Sequence, residues 1–160
     1  MDAIWPLGGN DMVDGGPGED TADYSESLDP IIVDLNKADS QVFAGEDIDT
    51  LIDIENLVGS DFDDFIIDGQ NEHELTGRSG NDFFQISSGG LTTITDLSSG
   101  DNFFVEEGAS LVAQISNDYA ATASTSNFGN TTVQASDEGS TIDLSLSAGV
   151  GYTILGGADN

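Results

Sequence analysis

The chain has 160 residues, enough for one ordinary domain or two small ones around a real core. Its 31 Asp and Glu face two basic residues, Lys37 and Arg78, for a formal net charge of -29, which argues against nucleic acid and anionic membrane surfaces as partners. It has no cysteine, so disulfides, thiolate zinc sites and cysteine nucleophiles are excluded and hard oxygen donors, carboxylates and backbone carbonyls, make up the ligand inventory.

Self-repulsion of this size opposes a compact state unless something cationic intervenes. The chain is nevertheless 37% hydrophobic with eight Phe, and its apolar residues come in short runs such as Ile31-Ile32-Val33 and Phe65-Ile66-Ile67 bounded by Gly and Asp. That punctuation predicts short strands joined by tight loops rather than a disordered polyanion. No stretch approaches the roughly 18 apolar residues of a membrane span, and the first residues lack the basic and apolar regions of a secretory signal, so no membrane insertion is expected.

In chain order, residues 6–14 read PLGGNDMVD and residues 15–23 read GGPGEDTAD, a full match to the nine-residue pattern G-G-x-G-x-D-x-U-x, where U is apolar. YSESLDPII at 24–32 keeps only Asp29 and Ile31 in register, and the frame then breaks. AGEDIDTLI at 44–52 returns weakly with Asp49 and Leu51 in the sixth and eighth places. Three consecutive blocks follow: GSDFDDFII at 59–67, DGQNEHELT at 68–76 and GRSGNDFFQ at 77–85. Their sixth places hold Asp64, His73 and Asp82, and their eighth places Ile66, Leu75 and Phe84.

The residue types explain the pattern. Glycines allow positive φ and bring carbonyls close to a metal, the Asp adds a charged oxygen, and three residues of strand follow with one buried apolar side chain. One block cannot bury that side chain alone, so blocks must stack, with loops alternating on opposite sides of two parallel sheets. Loops on one side then stand two blocks apart, with a calcium ion expected between them. Residues 101–155 lose acidity and gain Thr, Ser, Ala and Gly. Strands are expected at Leu111-Val112, at Val150 to Leu155, and over Ile142, Leu144 and Leu146, which alternate at period two.

GGPGEDTAD and GRSGNDFFQ resemble the RTX (repeats-in-toxin, haemolysin-type calcium-binding) repeats of secreted bacterial proteins. The stretch DTLIDIENLVGSDFDDFIIDGQNEHELTGRSGNDFF at 49–84 resembles a common RTX layout, as do IIVDL at 31–35, ITDLSSGDNFFV at 94–105 and the ending GYTILGGADN. The resemblance implies an all-β fold, a parallel β-roll (a calcium-binding nonapeptide solenoid) with an additional β-rich C-terminal region. The roll is expected over 1–100 with an insertion at about 33–58, and a Thr/Ser-rich module over 101–160, ending at the start of a further repeat.

For metal, the frame places one site between the loops 59–64 and 77–82, with Asp64 and Asp82 as carboxylates and carbonyls near Gly59, Asp61, Gly77 and Ser79. A second candidate pairs Asp11 with Asp29, using carbonyls near Gly9. Asp20 of the full match is expected to touch metal, although its partner loop at 33–38 ends in Ala38, with Asp34 or Asp23 as substitutes. His73 stands where Asp is expected, as an exposed residue of a decayed repeat; Phe62 and Arg78 replace glycines of the pattern. Trp5 and the Phe83-Phe84 pair are expected in core or cap.

No Gly-rich phosphate loop, HExxH or GxSxG is present, and carboxylate pairs such as Asp63-Asp64 arise here by composition, so the chain is not expected to be an enzyme. The resemblance implies a calcium-dependent structural module that stays open in calcium-poor cytosol, leaves a Gram-negative-type bacterium by type I secretion and folds outside. Its parent would be an adhesin, surface layer or extracellular filament, with calcium ions and neighbouring copies or modules as partners. The rival is a non-catalytic export, folding or polysaccharide-binding module of a secreted protease, lipase or alginate epimerase.

Overall fold

The computed structural model describes residues 3–6, 8–37, 40–45, 47–87, 89–115, 117–135 and 140–156, with only the backbone of residues 40 and 41. Ala38 and all but Gly156 of the final GGADN lie outside these residues. Among them there is no helix, and the strands form a parallel β-roll of about seven turns. One sheet has eight strands and is parallel throughout; the other has nine and carries one antiparallel insertion.

One inward apolar residue per strand builds the core, in the eighth place where the nine-residue frame holds (Ala22, Ile66, Leu75 and Phe84). On the eight-stranded sheet the cross-strand register aligns Ile4, Ala22, Leu57, Leu75, Ile94, Ala113, Val133 and Ile154 in one column, whose last member Ile154 is 54% exposed. Ala22 through Val133 in that column are fully buried. On the facing sheet Val33, Ile66, Phe84 and Phe103 align in the same way and are also buried. Strand alternation sends every second side chain inward, so one apolar residue per block suffices once the blocks stack.

The expected spacing of two nine-residue blocks holds where the repeats are regular: Ala3 pairs with Thr21, Asn56 with Glu74 and Phe65 with Phe83. It widens downstream, where Phe83 pairs with Asn102, Ser110 with Asn130 and Asn127 with Gly149. Residues past 101 nonetheless add strands to the same two sheets, plus a small pair from Tyr119–Ala120 and Ile142–Asp143. The expected strand over 142–146 is this two-residue piece, and Leu146 is exposed.

The insertion expected near 33–58 is built into the nine-stranded sheet. Ser40–Ala44 runs antiparallel to both Ile31–Asp34 and Asp47–Ile52, which restores the strand direction so that Asp47–Ile52 lies parallel to Met12–Asp14. Two strands thus separate Met12–Asp14 from Ile31–Asp34. Of the aromatic residues expected in core or cap, Phe84 is buried and Phe83 faces outward, stacked on Phe65 with centroids 5.3 Å apart. Trp5 is half exposed and held by its indole N–H donating to Asp23 at 2.8 Å.

Candidate site: a ladder of buried carboxylates

The loops before the strands Phe65–Ile67, Phe83–Ile86 and Asn102–Val105 stack with their last residues, Asp64, Asp82 and Asp101, buried one above another. Each carboxylate accepts the backbone N–H of the neighbouring rung. Ile31 donates to Asp64 Oδ1 at 2.8 Å, Asp64 to Asp82 Oδ1 at 2.9 Å, and Asp82 to Asp101 Oδ1 at 2.9 Å. The sixth-place Asp therefore ties coil to coil through charge-assisted hydrogen bonds.

The second oxygens differ. Asp64 Oδ2 accepts the Ser60 N–H at 2.7 Å and Asp101 Oδ2 the Ser98 N–H at 2.7 Å, which closes each loop on itself. In the middle loop the equivalent amide, that of Arg78, donates instead to Asp96 Oδ2 at 2.7 Å, while Gly77 N–H goes to Asp96 Oδ1 at 2.9 Å. Asp82 Oδ2 is thereby left buried without a hydrogen-bond partner among the described residues. An unsatisfied buried carboxylate oxygen is costly unless a proton or a cation attends it.

The electrostatics follow. Burial pushes the Asp82 carboxyl up to about 8, against the lowering effect of the Asp64 amide and with help from the charges of Asp101, Asp64 and Asp96. Burial also raises Asp64 and Asp101, opposed in Asp64 by the Ser60 hydroxyl and the Ile31 and Ser60 amides, and in Asp101 by the amides of Asp82 and Ser98. Arg78, the one arginine, lies outside the ladder, holding Asp61 at 2.9 and 3.0 Å. It stands at φ 73 in the place of the pattern's second glycine, so the loop keeps its left-handed turn at some strain.

The first-place glycines have a steric role. A Cβ on Gly59 would lie 2.3 Å from Asp64 Oδ2, and one on Gly77 would lie 2.3 Å from Asp82 Oδ2. Gly77→Ala is thus expected to displace a ladder carboxylate and to cost about 1–3 kcal/mol, the usual range for overpacking. Urea unfolding measures it; a variant as stable as the parent would show that the loop yields freely.

The other predicted ligands have different partners from those expected. Asp11 stacks on Asp49, not Asp29: its N–H donates to Asp49 Oδ1 at 2.9 Å, because the inserted strands place Asp47–Ile52 beside Met12–Asp14. Asp29 is exposed, with its carboxylate beside Gly45. Gly9 and Asp29 do border one cavity of about 280 Å³ together with Tyr24, Glu26, Asp47 and Asp49. Asp20 meets the segment before Asn56–Val58 rather than 33–38: its N–H donates to Glu55 Oε2 at 3.0 Å and its carbonyl accepts from Glu55 and Asn56. Ser79 is exposed.

His73 is a correction. It is buried, 5% exposed, with Nδ1 2.7 Å from Asp68 Oδ1, while Asp68 Oδ2 accepts the Thr92 hydroxyl at 2.6 Å. The block DGQNEH has an Asp in the first place and a His in the sixth, which puts an imidazole–carboxylate contact where the regular turns have a sixth-place Asp. Asp101, Asp96 and Asp49 are the functional candidates that sequence reasoning missed. Asp49 stood in the sixth place of a weak block, and Asp101 in SSGDNFF resembles Asp82 in SGNDFF but falls 19 residues on, outside a nine-residue frame.

Among the described residues no three His, Cys, Asp or Glu side chains converge as a metal cage. Any ion at the loops 59–64 and 77–82 needs backbone carbonyls as well, and the Gly77 carbonyl does approach Gly59 closely. The unsatisfied Asp82 Oδ2 and this carbonyl are hard oxygen donors of the kind calcium takes. No protein-family model matches the chain, and no curated protein matches it.

Proposed function

We propose that the chain is a calcium-dependent structural module of the RTX type, a β-roll whose acidic turns are closed by calcium outside the cell. The observation that supports it most is the buried ladder Asp64–Asp82–Asp101, with one oxygen of Asp82 unpartnered among the described residues, in a chain of net charge -29. Calcium, when bound, supplies the positive charge that the ladder lacks. Asp82 and Asp64 are the carboxylates assigned to it, with the carbonyls of Gly59, Asp61, Gly77 and Ser79; the loops of Asp20 and of Gly9, Asp11 and Asp29 are secondary candidates.

In this reading the module does no chemistry. Its carboxylates repel one another in calcium-poor cytosol, which keeps the chain open for type I export, and folding follows in an extracellular medium. Such a module suits an adhesin, a surface layer or an extracellular filament.

Calcium is expected to stabilise the fold with a Kd of about 10⁻⁴ to 10⁻³ M, adding about 2.7 kcal/mol per independent site at 100 times Kd. Isothermal titration and urea unfolding in calcium, in magnesium and in excess chelator test this. Equal β content and equal unfolding midpoints in calcium and in chelator would sink the proposal.

A further inference from the structure

The outer face of the nine-stranded sheet carries an apolar row that the roll itself does not use. The register places Ile48, Phe43, Ile32, Phe65 and Phe83 side by side on five consecutive strands. All five point away from the core: Ile48 is 36% exposed, Phe43 42%, Ile32 54% and Phe65 38%, with Phe83 stacked on Phe65. At about 4.8 Å per strand the row runs for about 19 Å. Other large apolar side chains are exposed elsewhere, but five side by side on consecutive strands form a contiguous row, and a contiguous exposed apolar row marks an interaction surface.

Its border identifies the partner. Asp29, Asp47 and Asp63 stand at or just before the starts of three of the five strands, Asp29 and Asp63 exposed and Asp47 partly so. On the far side Asp34 is already neutralised by Lys37 at 2.7 Å. An apolar row with carboxylates along one edge complements a helix that has an apolar stripe flanked by lysine or arginine. A second copy of this chain fits poorly, because it would bring an identical acidic edge, and a net charge of -29, against the first.

We infer that this row is a docking surface for a basic amphipathic helical segment of another protein. A helix rises 1.5 Å per residue, so about 13 residues cover the row. The row itself lies on the sheet face and contains none of the proposed calcium ligands, although Asp29 of its border is a secondary calcium candidate, and its test reads a different ligand.

The probe is a fluorescently labelled peptide of about 14 residues made only of leucine and lysine, with the leucines on one helical face. A scrambled peptide of the same composition is the control, and fluorescence anisotropy at physiological salt reads both. The amphipathic peptide is expected to bind at least about tenfold more tightly than the scrambled one. Phe43→Thr and Phe65→Thr, and separately Ile32→Thr, are each expected to weaken it about tenfold or more, the loss typical of removing a buried interface anchor. These exposed, strand-compatible substitutions keep the fold, which circular dichroism verifies. Phe128→Thr, exposed but outside the row, should change nothing. Equal binding of both peptides would reduce the surface to a plain polyanion and overturn the inference. So would binding that survives all the row substitutions, or a dimer of the protein that Phe65→Thr dissociates.

Discussion

Metal-free protein is expected to be more stable near pH 5 than near pH 8, the reverse of the gain that salt-bridged carboxylates usually give as pH rises. The sign follows from the ladder. An ordinary Asp in the unfolded chain titrates near 3.9, whereas burial raises Asp82 to about 8 in the fold and raises Asp64 and Asp101 as well. Between those values the folded state holds protons that the unfolded state has released. Stability is therefore full below about pH 4 on account of these groups and is lost as pH climbs through about 8, with a slope of up to about 1.4 kcal/mol per pH unit for each proton. Asp118 and Asp143 are lowered by hydrogen bonds from Thr141 and Ser145, so their contribution disappears only below their unfolded values, outside this window.

If calcium binds at the ladder as proposed, it and the proton compete for the same oxygens. With saturating calcium the fall between pH 5 and 8 should flatten or reverse, since ligand carboxylates must be deprotonated to bind. Asp82→Asn offers a direct check: Oδ1 can still accept the Asp64 amide, yet the carboxyl that burial raises to about 8 no longer titrates. Urea unfolding midpoints across the window, with calcium and with chelator, measure both effects. Metal-free protein that gains stability steadily from pH 5 to 8 would refute the ladder's electrostatics.

Phe84→Ala is expected to cost about 3–5 kcal/mol, while Phe83→Ala next to it should cost about 1 kcal/mol. Phe84 is fully buried between Ile66 and Phe103 in the inward column. Its removal leaves a cavity between the two sheets. Phe83 loses its stacking on Phe65 and little else. At about 2–4 °C of Tm per kcal/mol for a chain of this size, thermal unfolding separates the two clearly. Similar losses at both positions would mean that the strand register differs from the one described.

Much of this was legible in the chain. The eighth-place residues were named as the buried set from the nine-residue frame, and Ile66, Leu75 and Phe84 are all in the core. The pairing of the Asp64 and Asp82 loops, two blocks apart, was likewise readable, because consecutive regular blocks leave the stacking no alternative. Two misreadings share a cause. Asp11 and Asp20 were assigned partners 18 residues on, at Asp29 and in 33–38, whereas Ser40–Ala44 and Asp47–Ile52 enter the sheet between Met12–Asp14 and Ile31–Asp34, so that Asp11 meets Asp49 and Asp20 meets Glu55 and Asn56. His73 was read as decay because its partner, Asp68, sits in a place where the frame expects glycine.

The sequence by itself determined the alternation, the turns and the roll: Gly and Asp set the turns locally, and one apolar residue per block is buried only when blocks stack. Only the tertiary structure decided which carboxylate meets which amide. That depends on how many strands lie between two coils, and on whether a competing acceptor such as Asp96 takes the amide first. The unpartnered oxygen of Asp82 is the product of both, a property of three stacked loops that no one of them carries alone.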